Sequence, residues 1–131
     1  MALGGDKKQL ALTLLRVVLA VLMFIHGLTR ISNGTVDDFG GFLSGQGIPL
    51  GFYVAWGITL FELVGSAALA VGYYAYIIAL VFALELAVGI YLVHSKSGWF
   101  VVGAGTGGME YSMLLIVCFL VIAISHYGRK I

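Results

Sequence analysis

Four long apolar runs, each of a length that can cross a bilayer as a helix, leave little of this chain for anything else. They cover about Leu10 to Leu28, Leu50 to Val71, Tyr73 to Val93, and Met109 to Tyr127. About twenty residues rising 1.5 Å each span the ~30 Å of hydrocarbon in a membrane. Backbone groups in lipid must be hydrogen-bonded within the chain, and no run alternates as a barrel strand does. The sequence therefore predicts an all-α membrane protein, an antiparallel four-transmembrane-helix bundle forming one domain over residues 1–131.

Composition supports this class and excludes others. The chain is 61% hydrophobic and 10% charged, whereas soluble domains carry about 25% charged residues. A net charge of +1 provides no basic surface for nucleic acid. The one cysteine, Cys118, excludes an internal disulfide and a C-x-x-C redox pair. A signal peptide is the competing interpretation of the first run, but that run contains Arg16 and ends without a small-x-small cleavage site.

The connections between the runs differ in length. Gly72 alone separates the second run from the third, which predicts a tight antiparallel hairpin. The longer first connection holds Phe39, Phe42 and Leu43 at helical spacing, with Thr35 or Asp37 available as a cap. This pattern predicts a short amphipathic helix in the membrane interface, ending near Gly45 and Gly47. The third connection is rich in glycine, and its Trp99-Phe100 pair suits an anchor at headgroup level.

Basic residues predict the orientation. Four lie near the two chain ends and two in the longer loops, namely Lys7, Lys8, Arg129 and Lys130 against Arg30 and Lys96. Positively charged residues concentrate on the cytoplasmic side of membrane proteins. Both termini are therefore expected in the cytoplasm, with the protein in the cytoplasmic membrane of a prokaryote and both longer loops outside.

Two charged residues inside the apolar runs are expected to pair. Arg16 lies six residues into the first run and Glu62 twelve residues into the second. Counted from the ends of the runs, both fall about 9–12 Å from the cytoplasmic edge. The sequence therefore predicts a buried Arg16–Glu62 ion pair. Such a pair fixes helix register, although intramembrane carboxylates also serve as proton relays, and both interpretations remain open.

A second polar cluster is expected at the outer end. His26 and Arg30 share a face of the first helix, His94 closes the third, and Glu110 opens the fourth. Four such groups from three helices favour a ligand-binding pocket, while the alternative is that each only anchors a helix end. The spacing lacks an H-x-x-x-H or E-x-x-H pair and predicts no metal site. It also disfavours haem held by His26 and His94.

Glu85 lies near the middle of the third run, on the opposite helical face from Ala83 and His94. A carboxyl group facing lipid at that depth is strongly disfavoured. We therefore expect a covering partner, either another membrane subunit or a second copy, along the stripe of Val81, Glu85, Val88 and Leu92. A shallow polar crevice within the chain is the alternative.

Several short motifs together resemble those of the DoxX family, from about Leu12 to Ser125. They are Leu15-Arg16, Phe24-Ile25-His26-Gly27-Leu28-Thr29-Arg30, Phe61-Glu62-Leu63-Val64-Gly65, His94-Ser95-Lys96-Ser97-Gly98-Trp99-Phe100 and Gly107-Gly108-Met109-Glu110-Tyr111. The resemblance implies a four-helix membrane bundle associated with respiratory or redox complexes. The family pattern has no counterpart of Glu85.

Two functions follow from the resemblance and the polar cluster. In the first, the chain is a membrane subunit of a redox complex that binds a quinone or quinol headgroup. His26 or His94 would exchange the proton, Glu110 would orient the imidazole, and Arg30 would hold a carbonyl oxygen. In the second, it is a non-catalytic accessory or chaperone-like assembly subunit. No side chain here carries electrons, so the sequence leaves open whether the chain belongs to an enzyme.

Overall fold

The structure is a computed structural model that describes residues 2–128. It contains five α-helices and one 3₁₀ turn, and no strand within the described residues. The helices are α1 (Ala2–Ser32), α2 (Val36–Gly45), α3 (Gly51–Val71), α4 (Ala75–Leu92) and α5 (Glu110–Ser125), with the 3₁₀ turn at His94–Ser97. The all-helical prediction is confirmed. Arg129 and Lys130, half of the basic residues behind the predicted orientation, lie outside the described residues.

Three of the helices have the length and apolar composition needed to cross a membrane. They are α1 over Gly5–Ser32, α3 and α4, whereas α5 is apolar but shorter, at 16 residues. The predicted tight turn between the second and third runs is present: α3 ends at Val71, Gly72 caps it with a φ of 84°, and α4 begins at Ala75. Only glycine adopts that backbone conformation without a steric cost.

The helices pack in the order α3, α1, α5, α4, and the last contact that would close the ring is weak. α1 packs on α3 and α4 on α5, while α3 and α4 make few contacts although a short turn joins them. The main core joins α1, α3, α4 and α5 through large buried side chains, among them Leu19, Met23, Leu69, Phe82 and Phe119. The rings of Phe61 and Phe82, 4.9 Å apart, join α3 to α4, and the assembly is otherwise open on this side.

Close contacts fix the antiparallel register of α1 and α3. A Cβ at Gly27 would lie 3.1 Å from the Glu62 Cβ, and one at Gly72 would lie 3.4 Å from the Arg16 Cζ. Eleven residues separate Arg16 from Gly27 on α1, and ten separate Glu62 from Gly72 at the end of α3, which is about 15–17 Å of helix in each case. We call the side of the assembly near Arg16 the Gly72 end, and the opposite side, near α2, the α2 end.

The predicted short helix between the first two runs is confirmed as α2. Its buried residues, Val36, Gly40 and Leu43, pack on the first turns of α3 and form a small second core with Ala55. Thr35 occupies the N-cap position, but its hydroxyl donates to the carbonyl of Arg30 instead of capping α2. α2 therefore rests on α3 and covers one end of the assembly.

Replacing Gly40 with alanine is expected to loosen α2 from α3. A Cβ at this position would lie 2.8 Å from the Phe52 Cα, so the backbones must separate, at a cost of about 1–3 kcal/mol. The control is Gly41→Ala, because a Cβ there meets nothing within 4 Å. Thermal unfolding in detergent should show a lower transition temperature for Gly40→Ala only. Equal transition temperatures for the two variants would contradict this packing.

Candidate functional site

A cavity of about 570 Å³ occupies the α2 end of the assembly, between α3 and α4. Residues of α1 and α5 also line it, and Phe39, Phe42 and Leu43 of α2 cover it. Its wall is mostly apolar, and it contains a small set of titratable side chains: His26, Arg30, Glu62, Glu85, His94 and Tyr111. An apolar cavity with a few converging polar groups is the usual form of a small-molecule site.

The centre of the polar set is an ion pair between Arg30 and Glu62. Nη1 of Arg30 lies 2.6 Å from Oε1 of Glu62, whose side chain is 2% exposed. The same nitrogen donates to the Thr59 hydroxyl at 2.9 Å, and that hydroxyl donates to the Ala55 carbonyl at 2.8 Å. The Phe39 ring lies 4.6 Å from the Arg30 Cζ and provides a cation–π contact. The guanidinium is thereby held by α1, α2 and α3 together.

Gly27 explains why the Arg30–Glu62 pair forms at this position along α1 and α3. It lets α1 approach α3 so closely that Glu62 lies directly across from it. Arg30 lies one turn further along the same face of α1, and its long side chain reaches back to the carboxylate. A larger residue at position 27 would push the helices apart and lengthen the bond.

The predicted Arg16–Glu62 pair is wrong. Arg16 donates from Nη1 to Nε2 of His126, at 3.2 Å, and from Nη2 to the carbonyl of Ala70, at 3.2 Å. The reason is the helix register, which places Arg16 opposite Gly72 and about 15 Å from the level of Glu62. Depths counted from the ends of the apolar runs failed because α1 extends well beyond its run at both ends.

The expectation that Glu85 faces away from the interior is also wrong. Its carboxyl group lies beside that of Glu62 and interacts with both Glu62 and Arg30. Val81, Glu85, Val88 and Leu92, predicted as a partner-facing stripe, all line the cavity. One face of α4 packs on α5, and another face, which carries Glu85, borders the cavity between α3 and α4. His94 lies beyond the end of α4, in the 3₁₀ turn, so the helical phase does not extend to it.

The structure brings three of the four predicted outer residues to the cavity. His26, Arg30 and His94 line it, whereas Glu110 is exposed and accepts a long hydrogen bond, 3.5 Å, from the backbone N–H of Val101. His26 donates from Nδ1 to the carbonyl of Leu22, at 2.8 Å, and His94 donates from Nδ1 to that of Gly107, at 3.0 Å. Neither Nε2 has a hydrogen bond among the described residues, so each can serve as an acceptor.

Metal ligation finds no support in the part of the chain that the structure describes. Residues 5–128 contain no group of three or more His, Cys, Asp or Glu side chains that could hold a metal ion. The cavity offers one guanidinium, two carboxyl groups, two imidazoles and one phenol. This set can bind a polar headgroup by hydrogen bonds and can exchange protons with it.

The fold and the cavity together define a helical integral membrane protein with a ligand-sized polar site inside apolar walls. The sequence model of the DoxX family matches residues 11–95, and the chain therefore belongs to the DoxX family. The chain is also similar to "Putative oxidoreductase CatD" of Bacillus subtilis (strain 168), with 28% identity over 119 residues. That alignment covers 89% of this chain and 80% of the relative. No solved structure matches the chain at a significant level.

The family match covers most of the polar set. The matched residues 11–95 include His26, Arg30, Glu62, Glu85 and His94, whereas Tyr111 and Glu110 fall outside them. Sequence reasoning missed the pairing of Arg30 with Glu62 and the position of Glu85 beside them. The available signal was Gly27, a small residue between His26 and Arg30 that permits close approach of a neighbouring helix.

Proposed function

We propose that this chain is an integral membrane subunit of a redox complex and that its cavity binds the headgroup of a quinone or quinol. The observation that carries the proposal is the Arg30–Glu62 pair at the centre of an apolar cavity of about 570 Å³. Cavities that hold small organic molecules have volumes of about 300–1,000 Å³. The name of the Bacillus subtilis relative, which describes an oxidoreductase, agrees with redox chemistry. Since the chain has no electron-carrying side chain, the complex must supply the electron acceptor.

The polar groups suit both oxidation states of such a headgroup. Arg30 uses Nη1 for its bonds to Glu62 and Thr59, and Nη2 has no hydrogen bond among the described residues. The Nη2 group of the guanidinium can donate to a quinone carbonyl oxygen. The Nε2 atoms of His26 and His94 can accept from a quinol hydroxyl and receive its proton. Glu110 has no part in this arrangement, because it does not line the cavity.

The proposal includes a membrane topology with α5 as a fourth span. Its 16 residues rise about 24 Å, and adjoining residues would complete the crossing. Both termini would then be cytoplasmic, with the cavity in the outer half of the bilayer. Cysteines placed at Lys7 and Lys96 should react with a membrane-impermeant maleimide from opposite sides. Reaction of both from one side would contradict this topology.

Replacing both His26 and His94 with glutamine should reduce quinone-linked turnover of the native assembly by about tenfold or more, because proton exchange by a positioned side chain contributes at least that much. Both side chains lie at the cavity surface, and His26 is exposed, so the helices should remain folded. Glu110→Gln serves as the matched control and should keep full turnover.

A second candidate function is that of a non-catalytic accessory or assembly subunit. It is favoured by the Arg30–Glu62 pair itself, because a buried ion pair that fixes the register of α1 and α3 needs no ligand. Full turnover with both histidines replaced would support this function. Isolation of the native assembly, with identification of the co-purifying subunits and quinones, separates the two candidates.

A further inference from the structure

We propose that Glu85 is the ligand-anchoring carboxyl group of the cavity, and that it is reached sideways from the hydrocarbon through the opening between α3 and α4. The occupant it fits is a neutral, lipid-soluble molecule with a hydroxyl or carbonyl head. This inference deepens the proposed function and rests on it only for the identity of that molecule.

The packing of the helices provides the opening. α3 and α4 make few contacts, and the cavity lies between them. Glu85 lies on the face of α4 that borders this gap, and its apolar neighbours are partly uncovered, with Val81 40%, Leu84 63% and Val88 44% exposed. Glu85 is seven residues before the end of α4 at Leu92, about 10 Å along the helix. In the topology proposed above, an entrance at that depth would open into hydrocarbon.

The balance of charges in the cavity determines whether the Glu85 carboxyl group is protonated. One guanidinium stands among two carboxyl groups, and the 2.6 Å bond between Arg30 and Glu62 already joins one negative charge to the positive one. With His26 and His94 acting as neutral acceptors, a second ionised carboxylate would give the cavity a net charge in a medium that solvates charge poorly. Glu85 therefore holds a proton. A neutral carboxyl group both donates and accepts, which matches a hydroxyl or carbonyl head and not an ion.

The other glutamates of this region provide internal comparisons. Glu62 is 2% exposed, and its carboxylate is already bonded to Arg30. Glu110 is exposed in the first turn of α5, beside the loop at the α2 end. In this proposal Glu85 is accessible from lipid, whereas Glu62 is enclosed and Glu110 is exposed.

The primary test is labelling of the unmodified protein in phospholipid vesicles with dicyclohexylcarbodiimide, a lipid-soluble reagent for protonated carboxyl groups. The carboxyl proton passes to one carbodiimide nitrogen and the oxygen bonds to the central carbon. The adduct then rearranges to a stable N-acylurea, without loss of any atom. Peptide mass spectrometry should find the adduct on Glu85 and on neither Glu62 nor Glu110. Absence of an adduct on Glu85, or equal labelling of Glu62, would overturn the proposal.

The ligand role is tested with two substitutions and decylubiquinol as the probe. Glu85→Gln keeps a donor and an acceptor and should bind the probe like the unmodified protein, whereas Glu85→Leu should bind it at least about tenfold more weakly. Both variants should retain the unfolding temperature, since neither strands a charge. Equal binding by Glu85→Leu and the unmodified protein would contradict the anchoring role.

A protection experiment, in which decylubiquinol is present during carbodiimide labelling, distinguishes this inference from the proposed function. Decylubiquinol present during labelling should lower the yield of the Glu85 adduct, which supports both. Labelling of Glu85 without protection would support the lipid-accessible carboxyl group and count against a quinol as its occupant. Protection without any effect of Glu85→Leu on binding would support the quinol site and overturn the anchoring role of Glu85.

Discussion

Replacing Arg30 with methionine is expected to lower the free energy of unfolding by about 3–5 kcal/mol, the usual cost of leaving one partner of a buried ion pair alone. Glu62 would keep an enclosed carboxyl group without its 2.6 Å partner, and Thr59 would lose its donor. Unfolding in mixed micelles, followed by circular dichroism against denaturant concentration, measures the change. Replacing Glu62 with methionine as well should recover most of the loss, because well-packed apolar residues can replace a buried pair at little cost.

The matched comparison is Arg16, which bonds to His126 and Ala70 and lies about 15 Å from Glu62. Arg16→Met and Glu62→Met should therefore act additively, within about 0.5 kcal/mol. Arg30→Met and Glu62→Met should show a coupling energy of ~1 kcal/mol or more. Strong coupling of Glu62 to Arg16, together with additivity for Arg30, would contradict the register of α1 and α3.

Filling the cavity from Gly89 is expected to abolish ligand binding without unfolding the helices. Gly89 lines the cavity, and a Cβ placed there meets nothing within 4 Å. Gly89→Leu therefore extends a side chain into empty space, and it also removes a helix-interior glycine, which favours α4 by about 1 kcal/mol. Binding of decylubiquinol should fall by at least about tenfold, because the headgroup and the new side chain compete for one volume.

The control for this variant is Gly41→Leu, on the exposed face of α2, where a Cβ also meets nothing within 4 Å. It should leave binding unchanged. Gly57→Leu fills the same cavity from α3 and should reproduce the loss seen with Gly89→Leu. Unchanged binding in both Gly57→Leu and Gly89→Leu would show that the probe binds elsewhere.

The helices themselves were predictable because their signals are local. Run length and apolar composition placed α1, α3 and α4, and the spacing of Phe39, Phe42 and Leu43 placed α2. The turn at Gly72 followed from one glycine between two runs. The convergence of His26, Arg30 and His94 on one cavity was also accessible, because each residue lies near a helix end on the same side.

The register of α1 against α3 and the gap between α3 and α4 were not predictable, because both depend on contacts between helices. Arg16 and Arg30 are equally plausible partners for Glu62 until Gly27 is known to face it. The position of Glu85 depended on the weak contact between α3 and α4, and no periodicity encodes that gap. Helical phase showed only that Glu85 lies opposite Ala83, and the position of α3 decides that this side of α4 borders the cavity.

The most direct test of the central proposal is the quinone content of the native assembly isolated in mild detergent. Solvent extraction and mass spectrometry should find about one quinone for each copy of this chain, as expected for one cavity of this size. Assemblies carrying Gly89→Leu should keep their subunits and lose the quinone, while those carrying Gly41→Leu should keep both. An intact, active assembly of the unmodified chain that contains no quinone would contradict the proposal.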